Sequence, residues 1–140
     1  QTNLVGTFLM CREVYRAYMC EHGGSIVNIT MVFSNGFPKM AHSAAARAGV
    51  TALTRTLASE WASSGVRINN VAPGVIFTRS GFENYGAMGE PILQAMTSAL
   101  PFKRVGTAEE VSAAVVFLLS AGGAYTTGST LLVAGGLCLV

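Results

Sequence analysis

The order of the apolar patterns constrains this chain most. Three short runs, "SIVNIT", "VRINNVAPG" and "STLLVAGG", each follow a longer stretch with helical periodicity. The first two are rich in β-branched residues and read as strands, and the third closes the chain as a further strand. The sequence thus alternates helix, strand, helix, strand, helix, strand. Strands separated by a whole helix do not form hairpins, and crossover helices join strands that run parallel. The expected class is α/β with a parallel sheet.

The helices carry their own punctuation. "TNLVGTFLMCREVYRAYMCEH" places Leu4, Phe8, Leu9, Val14, Tyr15, Tyr18 and Met19 at helical spacing, and Gly23 and Gly24 end it. In "AHSAAARAGVTALTRTLASEW", Ala46, Val50, Leu53, Leu57 and Trp61 form one stripe and predict a core face. Ala44, Ala48, Gly49 and Ala52 form a second face of small residues that lets another backbone approach closely, and Gly65 ends the helix. Residues 75–100 are irregular, with Gly81, Gly86 and Gly89, and finish in an amphipathic piece around "PILQAM". "TAEEVSAAVVFLLS" opens on a capping box, Thr107 and Glu110, whose side chains serve each other's exposed amides.

Length and charge narrow the class of function. The 140 residues make one domain, and only 11% are charged, against about 25% in typical soluble domains. With 51% hydrophobic residues and 16 Gly, much of the surface is expected to be covered, by a partner subunit or by further chain. A net charge of +2 with no Lys/Arg run argues against nucleic acid as a partner. The longest apolar run, "AAVVFLL", falls far short of the ~20 residues a membrane span needs, and no secretory signal pattern opens the chain. Cys11, Cys20 and Cys138 lack metal-ligand spacing. On one helix Cys11 and Cys20 would face opposite ways, at ~100° per residue, so they cannot pair, and the three cysteines read as ordinary buried thiols in a reducing compartment.

"TNLVGTF", "GGSIVNI", "SAAARAGVTALTRTLASEWASSGVRINNVAPGVIFT" and "VSAAVVFLLS" occur in the order and spacing of the short-chain dehydrogenase/reductases, which the chain resembles over nearly its whole length. "AARAGV", "LASEWASSGVRIN" and "ENYG" are most similar to the peroxisomal trans-2-enoyl-CoA reductases within that superfamily. The resemblance implies a Rossmann-type doubly wound parallel sheet, NADPH as cofactor, and reduction of the α,β double bond of an enoyl-CoA thioester. It covers the second half of such a fold, so the first βαβ units are expected to be missing. No G-x-G-x-x-G occurs among the 140 residues to seat a pyrophosphate. Residues 1–140 then read as a partial reductase domain, with 75–100 as a substrate lid.

Carried over by position, the resemblance implies the following site. Arg47 stands where the family has its catalytic Lys; it supplies charge and hydrogen bonds but cannot shuttle protons, and its alternative is an ion pair beside the small-residue face. Ser43, one turn earlier, occupies the position of the family's Tyr acid; helix capping is the other reading. His42 beside it is a further candidate proton donor. The family's catalytic Ser falls at Met31, while the neighbouring Thr30 points to the other side of a strand. Asn3 matches the Asn that organises active-site water. Pro73, Gly74, Val75, Ile76 and Thr78 match the nicotinamide-binding segment. Tyr85 is the candidate proton donor if the lid closes over substrate, and otherwise packs within the lid. Met88, Ile92, Leu93 and Met96 suit either an acyl-binding lid or a plain amphipathic helix. Ala134 replaces an Asp that often precedes the closing Gly pair.

Three functions follow. The first is NADPH-dependent enoyl-CoA reduction in fatty-acid metabolism, in which charge develops on a thioester enolate that a cation and a hydroxyl can stabilise. The second is an inactive remnant acting only in subunit association. The third is carbonyl reduction, disfavoured because a carbonyl oxygen needs a proton donor at hand. The resemblance also implies a homodimer or homotetramer, and a peroxisomal location that rests on it alone, since the chain ends "CLV" rather than in an S-K-L-type tripeptide.

Overall fold

A computed structural model describes residues 2–32, 40–83, 86 and 89–139. Helix α1 runs through the abutting segments Thr2–Gly6, Thr7–Val14, Tyr15–Met19 and Cys20–His22, the first and third wound in wider π-type turns. It stops at Gly23, whose φ of +70° a side chain would strain. Strand β1 (Gly24–Ile29), helix α2 (Ala41–Trp61) and strand β2 (Val66–Pro73) follow. A short helix α3 (Arg79–Glu83) and helix α4 (Gly89–Ala99) occupy the stretch expected to be irregular. Helix α5 (Ala108–Leu119) and strand β3 (Thr130–Val133) complete the order.

The sheet is parallel throughout in the order β1-β2-β3, with Ile29 opposite Val71 and Pro73 opposite Val133. Crossover helices enforce this direction, as the alternation predicts. Central β2 is covered on both faces: Val66 and Ile68 join Cys11, Leu57, Ala58 and Trp61 in the core, whereas Arg67 reaches across to the end of α5. Its guanidinium donates to the carbonyl of Leu118 (2.7 Å), in the last turn of α5, and to that of Gly123 (2.8 Å), in the loop that follows.

The helical faces differ in detail from their periodicity. On α2 the buried stripe is Val50, Thr54, Leu57, Ala58 and Trp61; Ala46 and Leu53 are only half-buried. On α1, Cys11, Tyr15 and Met19 turn inward, and Tyr15 stacks on Trp61 with ring centroids 4.2 Å apart. Phe8, Leu9, Val14 and Tyr18 remain exposed. Part of the small-residue face of α2 is filled from within the chain: a Cβ on Gly49 would lie 2.9 Å from a methyl of Leu4.

Two asparagines sit at the centre of β2, where an apolar strand would be expected. Asn70 accepts from the Thr54 hydroxyl (2.8 Å) and donates to the Thr130 hydroxyl (3.1 Å), and Asn28 of β1 donates to Thr54 (3.1 Å). Asn69 donates to the Thr126 carbonyl (2.7 Å) and accepts from the Ser129 amide (3.0 Å). These side chains tie the three strands to α2 and to the loop before β3, and no buried side-chain N or O among the described residues lacks a partner.

Candidate functional site

The parallel ladder ends at one level. Beyond β1 the Thr30 amide still donates to Val71 (2.9 Å) and the Val32 amide to Pro73 (3.4 Å), and beyond β2 the Gly74 amide donates to Val133 (3.0 Å). Past these bonds the chains diverge, and a cavity of about 310 Å³ opens. Open α/β sheets offer their ligand crevice at this edge, outside the carboxyl ends of the strands. Met31 and Val32 line it from β1, residues 73–78 from β2, and Ile92, Leu93 and Met96 from α4. The nicotinamide segment and the acyl lid of the sequence reading therefore share one cavity. Thr78 carries the only polar side chain among the described residues that line it.

Backbone contacts fix the 73–78 wall. Gly74 lies so close to the loop after β3 that a Cβ on it would fall 2.8 Å from the Cα of Ala134. Two residues on, Ile76 pairs with Gly106 as an isolated parallel bridge. The Gly106 amide donates to Val75 and the Phe77 amide to Gly106, both at 2.9 Å. Ala134 thus forms the floor against which the Pro73-Gly74 turn rests.

Arg47 is half-buried on α2, and its guanidinium donates to the carbonyl of Ile29, the last residue of β1. This contact puts a permanent cation at the end of that strand. Ser43, one turn earlier, is half-buried and sits inside the helix: Met40 occupies the N-cap, so Ser43 does not cap. His42 is exposed. Asn3 is exposed in the first turn of α1, its carbonyl accepting from the Thr7 hydroxyl (2.9 Å), and no hydrogen bond joins it to Arg47 among the described residues. Tyr85 and Met88 lie outside the described residues. The structure brings Ser43 and Arg47 together on one helix but leaves both, with Asn3, outside the lining of the cavity.

Thr30 behaves as strand alternation predicts: it is buried, and its hydroxyl donates to the Val71 carbonyl (3.3 Å), leaving Met31 to face the cavity. Leu137 also lines the cavity, a position that periodicity did not indicate. It follows Gly135 and Gly136, whose φ values of +56° and +85° turn the chain back after β3. A double glycine followed by Leu is the pattern that could have revealed it.

Of the cysteines, only Cys11 is buried, its thiol donating to Asn28 (3.6 Å), and burial pushes its pKa up; Cys20 and Cys138, expected to be buried, are only half-buried. No group of three or more His, Cys, Asp or Glu suited to a metal occurs among the described residues. No helix among them is long and apolar enough to cross a membrane.

The cavity and its 73–78 wall suit the nicotinamide end of a dinucleotide, which needs an apolar slot edged by backbone groups. The sequence holds no Gly-rich turn for the pyrophosphate.

Comparison with known proteins agrees with this geometry. The family described as enoyl-(acyl carrier protein) reductase matches residues 1–138. The chain is 39% identical over 137 residues to a peroxisomal 2,4-dienoyl-CoA reductase of Danio rerio, covering 97% of this chain and 45% of the relative. It is also 39% identical over 140 residues to a 3-oxoacyl-[acyl-carrier-protein] reductase of Vibrio harveyi, covering 99% of this chain and 56% of the relative. Among solved structures, a 4-hydroxyisoleucine dehydrogenase mutant complexed with NADH and succinate superposes with a TM-score of 0.89 at 27% identity, over 99% of this chain and 57% of that one. The chain spans about half the length of the curated relatives it matches. With helices on both faces of a parallel sheet and a cavity at its carboxyl edge, it belongs to the enoyl-(acyl carrier protein) reductase family, within the short-chain dehydrogenase/reductases.

Proposed function

We propose that this chain forms the nicotinamide- and acyl-binding part of an NADPH-dependent reductase of α,β-unsaturated acyl-CoA thioesters, acting on trans-2-enoyl-CoA in fatty-acid metabolism. The observation that carries the reading is the cavity, whose described lining is apolar apart from Thr78 and holds no acid or base. A ketone reductase needs a proton donor beside the substrate oxygen as hydride arrives. An enoyl thioester tolerates its absence, because hydride adds at carbon and the negative charge spreads onto the thioester oxygen. NADPH, when bound, supplies that hydride.

The chain's own residues are assigned the remaining tasks. Pro73, Gly74, Val75, Ile76 and Thr78 hold the nicotinamide, while Ile92, Leu93 and Met96 of α4 take the acyl chain. Arg47, anchored on Ile29, supplies fixed positive charge that favours the enolate, and Ser43 donates a hydrogen bond to the same oxygen. Asn3 orders water at the start of α1. Tyr85 delivers the proton to carbon. In support, the Danio rerio relative is named for a conjugated dienoyl-CoA substrate, whose reduction likewise loads charge onto a thioester. That relative's name also supports a peroxisomal location. The exposed Phe8, Leu9 and Met10 of α1 support a homo-oligomer that covers them.

A second reading has one specific support, the equal identity to the Vibrio harveyi 3-oxoacyl reductase. The two separate in one assay. NADPH oxidation is followed with trans-2-enoyl-CoA, 2,4-dienoyl-CoA and 3-oxoacyl-CoA in parallel. The proposal expects turnover of trans-2-enoyl-CoA and none of the 3-oxo compound. Turnover of the 3-oxoacyl thioester alone overturns it in favour of carbonyl reduction. Turnover of none, with NADPH still bound, favours the inactive remnant.

A further inference from the structure

The nicotinamide wall is held from outside by a side-chain device that takes no part in the cavity's lining. Arg104 grips Glu110 with both arms of its guanidinium, at 2.9 Å to Oε2 and 2.6 Å to Oε1. The same Oε2 accepts from the Thr107 amide (2.9 Å), and the Thr107 hydroxyl accepts from the Glu110 amide (3.3 Å). Two residues between Arg104 and Thr107 are therefore bracketed, and one of them is Gly106.

Gly106 is the residue that bridges to Ile76. It exchanges backbone hydrogen bonds with Val75 and Phe77, and the approach is so close that a Cβ on Gly106 would meet the Ile76 Cδ1 at 2.7 Å. Its imaginary Cβ would also lie 3.5 Å from Glu110 Oε2, so the bridge and the ion pair occupy the same few ångströms. Val75, Ile76 and Phe77 also line the cavity.

From this geometry we infer that Arg104 and Glu110 are positioning residues for cofactor binding: their pairing latches the 104–107 loop, and through Gly106 it sets the backbone of the 75–77 wall. The inference rests on the proposed assignment of that wall to the nicotinamide. Neither side chain touches the cofactor; the pair acts through two backbone hydrogen bonds. α5 packs against all three strands of the sheet, so its N-terminus is a fixed post for the latch.

The test compares the wild-type protein with Glu110→Gln, Arg104→Met and the double variant. Glu110→Gln keeps an oxygen for the Thr107 amide and removes only the charge pair, and Arg104→Met leaves the capping box whole, so each single variant retains the start of α5. Two readouts are taken: hydrogen exchange at the Phe77 and Gly106 amides, and the Kd for NADPH. Each single variant is expected to exchange at both amides about fivefold faster and to bind NADPH about fivefold more weakly, the scale of a well-formed exposed pair. The double variant is expected to be no worse than either single one. Unchanged exchange at both amides overturns the latch. Faster exchange with an unchanged Kd overturns its role in cofactor binding. Wild-type protein that binds neither NADPH nor reduced nicotinamide mononucleotide overturns the cofactor assignment itself, and with it this inference; equal binding by wild type and variants overturns the inference alone.

Discussion

Thr54 shows how a single hydroxyl can hold a sheet in register. It is fully buried, donates to Asn70 and accepts from Asn28, and so joins α2 to two strands at once. Thr54→Val keeps the shape but strands two buried amides, and is expected to destabilise the fold by about 1–3 kcal/mol. Thermal or urea unfolding checks this, and an unchanged midpoint would mean that Asn28 and Asn70 find other partners. Arg47 is the corresponding residue for chemistry. Arg47→Met is expected to lower enoyl-CoA turnover by about 10²–10³-fold, the scale of losing one fixed oxyanion donor. Arg47→Lys should recover part of it, since charge is retained and geometry is not. At this scale the sequence was only partly legible. The placement of Arg47 on α2 followed from its helical stretch, and the turn of Thr30 away from the cavity followed from strand alternation. The Asn28–Thr54–Asn70 chain did not, because an Asn in a strand reads as a polar intrusion until its partners from other elements are placed.

Among the elements, α5 was the most legible, because its capping box is a local device: Thr107 and Glu110 satisfy each other's amides as spacing alone requires. The pair with Arg104 was not, since it depends on a loop folding back. It has a measurable pH signature. The Glu110 carboxyl is held at about 2, below its ordinary 4.5, by the Arg104 guanidinium first and the Thr107 amide second. Its folded-state pKa is depressed, so its contribution is complete above the unfolded value near 4.5 and is lost as pH falls through about 2. Glu109, the neighbouring carboxylate, is lowered too, by its own backbone amide and then the Thr107 hydroxyl, and loses its share in the same direction. Acid titration of stability should therefore be shallower between pH 4.5 and 2 in Glu110→Gln than in the wild type. Identical slopes would contradict the pairing. α4 carries the second prediction at this scale: enoyl-CoA is expected to slow protease cleavage within residues 89–99, because Ile92, Leu93 and Met96 line the cavity. No protection would assign α4 to packing alone. Its helical character could be read from the amphipathic "PILQAM", whereas its start at Gly89 could not, and Tyr85 before it lies outside the described residues.

For the molecule as a whole, alternation of helix and strand dictated a parallel sheet, and a parallel sheet dictated a crevice at its carboxyl edge. That much was legible because it follows from connection lengths rather than from particular contacts. The surface was less so: helical spacing marked Phe8, Leu9 and Tyr18 of α1 as apolar without saying what they meet, and within this chain they stay exposed. The central claim is that the crevice at Pro73–Gly74 receives a nicotinamide. Reduced nicotinamide mononucleotide tests it most directly, because it carries the nicotinamide end without the second nucleotide that a Gly-rich turn would seat. In a titration followed by amide NMR, the account predicts saturable shifts at Gly74, Val75, Ile76 and Thr78, with smaller ones at Ile92 and Met96. Shifts absent from those residues, or confined to another part of the sheet, would contradict it.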